Sequence, residues 1–561
     1  MCELSTSMDR RLCVFFLAAG GALFPRAAWP QANTAKVHER RAVVFYTAET
    51  HGTLEPCGCT SDPLGDFARF TALVRKAAGK TKEALLVDAG GLLFPAGEIS
   101  PARMPAARLR AEFLAKEVSR LPFGGAAIGA DDLALGAGAV SPKRLAVNLP
   151  NVPFVEPSRS VDVGGIKIGV VGVADGETAA KAGLKAADPN QAARAEVARL
   201  RKSGVEVVIL LAPLERPLAR NLARTTGADF VIVGKNVGNG MARAESVGSG
   251  FLLAPADELQ RVGKLEIVLR GAGARGSDES LVDAGEPAQA ADRIAELGRK
   301  IAQLEADLLR WKADGSSDPA FVASKTQERD DLRNERKTLG RVTWRPPASG
   351  SYFINMLVPI RRSLPRDTAL SSDMHKLDHA IGEANLRSAE PPVPAEPGRA
   401  FYVGGQACVS FHKPAAKFWK KTVHAQAWKT LVDVGKEAHD DCVSCHVTGY
   451  GEVGGTSLGH TRGFENIQCE VCHSPGSTHV ERKGKETPFA GQLKTPESVC
   501  VRCHNEKHSD TFQYQAYLRD VLGPGHGEDA RDGLGDGPTG HSLRRAAAAR
   551  AKLAARRPEA R

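Results

Sequence analysis

Cys442-Val-Ser-Cys445-His446, Cys469-Glu-Val-Cys472-His473 and Cys500-Val-Arg-Cys503-His504 repeat one five-residue pattern three times. The spacing is that of covalent haem attachment: two thiols add to the two vinyl groups of one haem, and the adjacent imidazole becomes the proximal iron ligand. Zinc sites also pair cysteines, but they do not require a histidine directly after the second cysteine in every repeat. The reading is three c-type haems, attached through Cys442, Cys445, Cys469, Cys472, Cys500 and Cys503, with His446, His473 and His504 as proximal ligands.

A low-spin haem needs a sixth ligand, and residues 412–526 hold ten of the 15 histidines. Besides the proximal three these are His412, His424, His439, His460, His479, His508 and His526. Any one of them taken alone is equally well explained as a solvated surface residue, because imidazole is polar and usually partly exposed. His479 stands out. Ser-Pro-Gly-Ser-Thr separates it from His473, a turn-forming stretch that brings a second imidazole toward the haems. The pairing of ligand to haem is not written in the sequence.

Further pieces accompany the three motifs: Tyr402-Val-Gly-Gly-Gln-Ala-Cys408, Trp419 with His424-Ala-Gln-Ala, the extension Val-Thr-Gly-Tyr450 after His446, and Ser-Pro-Gly-Ser-Thr-His479 after His473. On these residues the segment 400–527 resembles the cytochrome c554-type multihaem domain. The resemblance implies a mostly α-helical or irregular domain of closely stacked haems passing electrons, with His424, His439, His479 and His526 as distal ligands. One departure matters. The family's first attachment site here reads Cys408-Val-Ser-Phe411-His412, and Phe411 has no thiol. Cys408 and His412 therefore form a degenerate haem site. One thioether and one imidazole leave retention to packing, so the expectation is three haems and an empty fourth site, with a fourth haem held by Cys408 as the alternative.

Upstream, residues 38–272 alternate short β-branched runs with alanine-rich helical stretches. The runs are Ala42–Thr47, Ala84–Asp88, Ile166–Val173, Val205–Leu211, Phe230–Val233 and Leu265–Leu269. Their length and flanking glycines predict buried strands of an α/β sheet, whose functional loops follow the strands. Glu49-Thr-His51-Gly, Val87-Asp-Ala-Gly-Gly91, Ile128-Gly-Ala-Asp-Asp132, Asn148, Leu211-Ala-Pro213 and Val233-Gly-Lys-Asn-Val237 occupy those loops. They resemble the metallophosphoesterase domain of 5′-nucleotidases, which implies a calcineurin-like phosphoesterase sandwich. The ligand set of that family is not kept. Its Asp-x-His aspartate is Glu49 here, with only His51 retained; its bridging aspartate aligns with Gly91, its Asn-His with Ala130-Asp131, its strand-end histidine with Pro213, and its last two histidines with Lys235 and Val237. Two-metal hydrolysis needs both cations about 3.5–4 Å apart, so the expectation is no divalent metal pair and no phosphoester hydrolysis. Catalytic residues remain unknown. The alternative is a metal-dependent phosphoesterase with accessory haems.

The same loop continues Glu49-Thr-His51-Gly-Thr-Leu-Glu-Pro-Cys57-Gly-Cys59. The whole chain resembles exported nucleotidase-like proteins whose relatives place cysteine or selenocysteine in this loop. Three readings stand for Glu49, His51, Cys57 and Cys59: a structural Cys-x-Cys disulfide, favoured by an oxidising compartment; a redox-active dithiol; and a mononuclear site for a soft cation.

Export is expected from residues 1–28, a signal peptide in which Arg10-Arg11 precede a thirteen-residue apolar run, Leu12–Phe24. That run is shorter than the ~20 residues needed to span a bilayer, and haem-bearing thiols suit the periplasm. Residues 286–340 carry an apolar seam, Ile294, Leu297, Ile301, Leu304, Leu308 and Trp311, at three- and four-residue steps. It predicts a helical hairpin, or with a second chain a coiled coil. Residues 341–399 read as a connector and proline-rich linker, and 528–561 as a flexible basic tail. Seven basic residues against one acid in Arg544–Arg561 supply six of the net +10 charges. The charge is thus a property of the tail and excludes a nucleic-acid footprint on the folded domains. A solvated tail is the stronger reading, peripheral contact with anionic lipid the weaker. The partners expected are redox proteins.

Overall fold

The computed structural model describes residues 38–56, 60–79, 83–129, 131–136, 143–271, 279–313, 318–340, 346–483, 494–505 and 508–555. The expected signal peptide and the pair Cys57 and Cys59 lie outside these residues. Glu39–Thr47 shows why the first half folds as it does. Its β-branched and aromatic side chains suit a strand and alternate between faces: Ala42, Val44 and Tyr46 enter one core, Phe45 the other.

An eight-stranded sheet runs Val282–Asp283, Tyr352–Pro359, Arg261–Arg270, Glu39–Thr47, Ala84–Asp88, Phe123–Ala126, Arg144–Leu145, Val155–Glu156. A six-stranded sheet runs Glu245–Val247, Gly250–Leu253, Phe230–Val233, Val207–Ala212, Ile166–Gly172, Ser158–Val163. Val44, Tyr46 and Ile267 of the first share a core with Val170, Ile209 and Phe230 of the second, closed outside by Val197 and Leu222 of helices Pro189–Lys202 and Arg216–Thr225. On the other face of the larger sheet, Phe45 and Leu86 pack with Phe70, Leu114 and Ile381 of helices Phe67–Ala78, Met104–Ser119 and Thr368–Arg387. The result is an α/β sandwich of two sheets with helices outside. Each fully buried large apolar side chain of this core contributes roughly 1.5–3 kcal/mol.

The segment 341–399, expected as a connector, contributes to this sandwich. Tyr352–Pro359 pairs antiparallel with Arg261–Arg270, Phe353 opposite Ile267, and the buried Tyr46 hydroxyl donates to Asn355 Oδ1 at 2.7 Å. The strand escapes a linear reading because a helical hairpin is inserted between it and its partner. That hairpin comprises Gly285–Ala313 and Pro319–Leu339, joined within the chain by Arg293–Glu335 at 2.8 Å, Arg333–Glu305 at 2.6 Å and the Trp311–Phe321 edge contact. The tail also differs from expectation: Gly540–Ala555 is a helix. Alanine has the highest helix propensity, and Arg544 lies 5.3 Å over the Tyr517 ring while Ala547 is buried.

The described residues of 400–527 fold as helices of four to eight residues. Their apolar cluster is small, Leu431, Val443, Val447 and Leu458. A segment of this size with so little core needs another body to pack against. No helix among the described residues is long and apolar enough to cross a membrane.

Candidate functional site

Each attachment motif occupies one helical turn, which puts its two thiols on the same side and the histidine just beyond. Cys503 and His504 both donate their backbone N–H to the Cys500 carbonyl, at 3.2 and 2.8 Å. Cys445 donates to Cys442 at 3.3 Å and His446 to Val443 at 2.9 Å, while Cys469–His473 is a single short helix. The seven described cysteines are free. Neighbouring motifs lie together: Cys503 donates to Cys445, which is held down at about 6, and Cys408 donates to Cys469, which is held down at about 7.

One imidazole is oriented by the backbone, and three are lowered by burial. His446 donates its Nδ1–H to the Ala427 carbonyl at 2.6 Å, which leaves Nε2 for a metal. Burial, then the neighbouring His424, pushes His504 down to about 4, and burial lowers His424 and His473 as well. Neutral imidazole is the ligating form.

Two pairs of imidazole rings come close to one another. His424 and His504 stand 6.1 Å apart between centroids, and His412 and His479 stand 5.9 Å apart. Two metal–imidazole bonds of about 2.0–2.1 Å, each extended from nitrogen to ring centre, place two axial imidazoles about 6 Å apart. Burial lowers His473 first, and the nearby His526 and His412 lower it further. His439 is different: buried, it gives its Nε2–H to the Asp378 carbonyl at 3.2 Å. The small apolar core, the thiol-bearing turns and the two imidazole pairs all fit haem c.

The second locale is a cleft of about 490 Å³ at the ends of the parallel strands, lined among others by Glu49, His51, Gly91, Asp131, Lys235 and Asn236. Glu49 and His51 both hold left-handed backbone, φ 46° and 51°, tied by their N–H groups to Gly90 and Gly91. The Glu49 carboxylate accepts from the backbone N–H of Asn236 and Val237 at 2.9 and 2.8 Å. Lys235 pairs with Asp175 at 3.3 Å. The Asn148 amide is spent on both backbone groups of Ala174. A Cβ on Gly91, φ +74°, meets Glu49 Cα at 3.1 Å. Behind the cleft, Asp132 accepts from Gly91, Gly129 and Arg144, and Asp88, buried and bonded by Thr47 and Gly90, is pushed up to about 7, chiefly by desolvation and then by Asp132. His51 Nδ1 is buried without a hydrogen bond. Among the described residues no three His, Cys, Asp or Glu side chains come together as a metal cluster.

The described flanks of one loop and Arg103 join the two locales. Glu55, just before the undescribed Cys57–Cys59, is paired with Lys436 at 2.9 Å, and Ser61, just after it, donates its N–H to Asp510 at 3.2 Å. Lys436 lies just ahead of Cys442, and Asp510 just beyond His504. Arg103 adds a bond to Asp440 at 2.7 Å. These interdomain contacts carried no sequence signal, since they join isolated charged residues hundreds of positions apart.

Residues 407–474 match the family described as cytochrome c554 and c-prime. The chain is similar to cytochrome c-554 of Nitrosomonas europaea, 32% identical over 134 residues, 18% of this chain and 57% of that protein; it thus spans little more than half the length of this curated relative. Among solved structures it is similar to a 5′-nucleotidase precursor from Thermus thermophilus (16% identity, 70% and 68% of the two chains, TM-score 0.42). A calcineurin-like phosphoesterase from Bacillus subtilis is also similar (16% identity, 42% and 88%, TM-score 0.34). The chain therefore carries a segment similar to cytochrome c554 and c-prime, which follows an α/β domain of two sheets.

Proposed function

We propose that this protein is an exported multihaem cytochrome that carries electrons between redox proteins, and that its α/β domain is not a two-metal hydrolase. The observation that carries the reading is the turn geometry of the three Cys-x-x-Cys-His motifs together with the 6.1 Å approach of His424 to His504. Cys442/Cys445, Cys469/Cys472 and Cys500/Cys503 hold three haems; His446, His473 and His504 ligate them on one side, with His424 opposite His504 and His526 opposite His473. Bound haem c supplies one-electron exchange. The protein's own part is to keep the imidazoles oriented, as Ala427 does for His446.

What supports loss of the hydrolytic centre is that, His51 apart, protein groups satisfy one another where the metals belong: Glu49 is bonded by two backbone amides, Lys235 by Asp175, and Gly91 offers neither carboxylate nor room for one. The Cys57-Gly-Cys59 loop is read as a redox-active dithiol served by the haems; its flanks Glu55 and Ser61, both bonded to the haem-bearing segment, support this. Export rests on the apolar run of residues 12–24. Lys413, Lys417, Lys420 and Lys421, exposed on and just after one helix beside His412, favour an acidic redox partner.

The test is a spectroelectrochemical titration of the mature protein beside a phosphatase assay. Reversible reduction is expected, with His424→Ala turning one haem high-spin and no hydrolysis of nucleotide or phosphomonoester with any added divalent metal. Hydrolysis that survives haem loss and disappears in His51→Ala contradicts the reading, as does a protein without covalent haem.

A further inference from the structure

The sequence alone argues that the site with one cysteine is empty, because Cys408 and His412 by themselves hold a haem poorly. The structure adds three observations. First, the backbone there repeats that of an intact motif: Phe411 and His412 donate their N–H to the Cys408 carbonyl at 3.2 and 3.0 Å, as Cys503 and His504 do to Cys500 at 3.2 and 2.8 Å. The loss of the second thiol has not relaxed the turn. Second, His412 faces a partner imidazole, His479, with ring centroids 5.9 Å apart and planes 16° from parallel, a separation matched by His424 and His504 at 6.1 Å. Third, Phe411 is 46% exposed beside an exposed His412. An apolar ring in water next to two imidazoles is the surface that a flat apolar group would cover.

We infer that Cys408, His412 and His479 hold a fourth haem c, joined to the protein by a single thioether. The inference rests on the multihaem reading above and extends it to a site that the motif pattern excludes. In the attachment step the Cys408 S–H adds across one vinyl group of the haem: the Sγ–C bond forms, the vinyl π bond breaks, and the thiol hydrogen ends on the neighbouring vinyl carbon. No electrons are gained or lost. The second vinyl group, which a cysteine at position 411 would have consumed, stays unsaturated. His412 and His479 supply the two axial nitrogens, replacing in part the retention lost with the second thioether.

The unsaturated vinyl makes the site spectroscopically distinct. In alkaline pyridine the reduced protein is expected to show, beside the absorption of three doubly attached haems, a component shifted toward that of haem with free vinyls. Peptide mapping of the mature wild-type chain, made with haem-maturation machinery, is expected to find haem on the Cys408 peptide. Cys408→Ser then loses one haem of four and the shifted component. Phe411→Cys keeps four and moves that component onto the others. His479→Ala keeps the covalent haem and converts one bis-histidine signal to high-spin in electron paramagnetic resonance. A wild-type chain with three haems and an alkylatable Cys408 overturns the inference while leaving the three-haem reading intact. Four haems with Cys408→Ser unchanged also overturns it. A chain without any covalent haem overturns both.

Discussion

The α/β cleft and the Cys408 turn have each lost part of a known ligand set, and they have responded in opposite ways. In the cleft, protein groups have closed on one another: backbone amides bond Glu49, Asp175 neutralises Lys235, and Arg144 pairs with Asp132 behind them. At Cys408 the turn is kept, with the thiol bonded to Cys469, and the His412 and His479 rings stand about as far apart as those of His424 and His504. The difference teaches that a missing ligand residue does not by itself decide whether a site is lost. What decides is whether the remaining groups keep the geometry of the intact site.

If the cleft is now a structural network, its bonds bear on stability. The largest expected effect is at Arg144, whose pair with Asp132 is buried on both sides, 2% and 0% exposed. Arg144→Leu leaves Asp132 buried without its countercharge and is expected to cost about 3–5 kcal/mol in denaturant unfolding. A cost under about 1 kcal/mol, the range of exposed pairs, contradicts the network.

Next comes pH. Asp88 is pushed up to about 7 by burial first and by Asp132 second, so the native chain keeps a proton that the unfolded chain, near 3.9, gives up. The stability this group contributes is complete below about pH 4 and is lost as pH rises toward 7, because the native state binds more protons across that window. Asp88→Asn is expected to flatten that fall in thermal unfolding. An unchanged slope means that Asp88 is ionised and that the cleft is more hydrated than its packing implies.

The smallest effect is expected where the two regions meet. Lys436 and Glu55 are each about one-fifth exposed, 23% and 21%, and Lys436→Met is expected to cost about 0.2–1 kcal/mol, less at high salt. Its informative readout is the rate of electron exchange between the Cys57/Cys59 loop and the haems, which is expected to slow. An unchanged rate detaches that loop from the haem segment.

Much of this was legible in the chain itself. Strands such as Ala84–Asp88 and Phe230–Val233 are short apolar runs between turn residues, and the structure has them at those positions. The haem motifs are legible because their chemistry fixes a local spacing. Three things were not. Tyr352–Pro359 reaches its sheet across an inserted hairpin, so no local pattern ties it to Arg261–Arg270. Asp132 with Arg144 and His439 with Asp378 are single polar residues whose meaning is their burial and partner, which sequence periodicity does not encode. The match of His479 to His412 and of His424 to His504 is tertiary, and it changes the reading of the Cys408 site.

Metal analysis of the mature, haem-loaded protein tests the contrast between the two sites most directly. Iron and the common divalent metals are counted per chain after exhaustive dialysis against each added cation in turn. The account predicts four irons, all covalently held as haem, and no manganese, zinc, cobalt or calcium retained in stoichiometric amount. Three irons would contradict the account at the Cys408 site, and one or more divalent ions lost on substituting Glu49 and His51 would contradict it at the cleft.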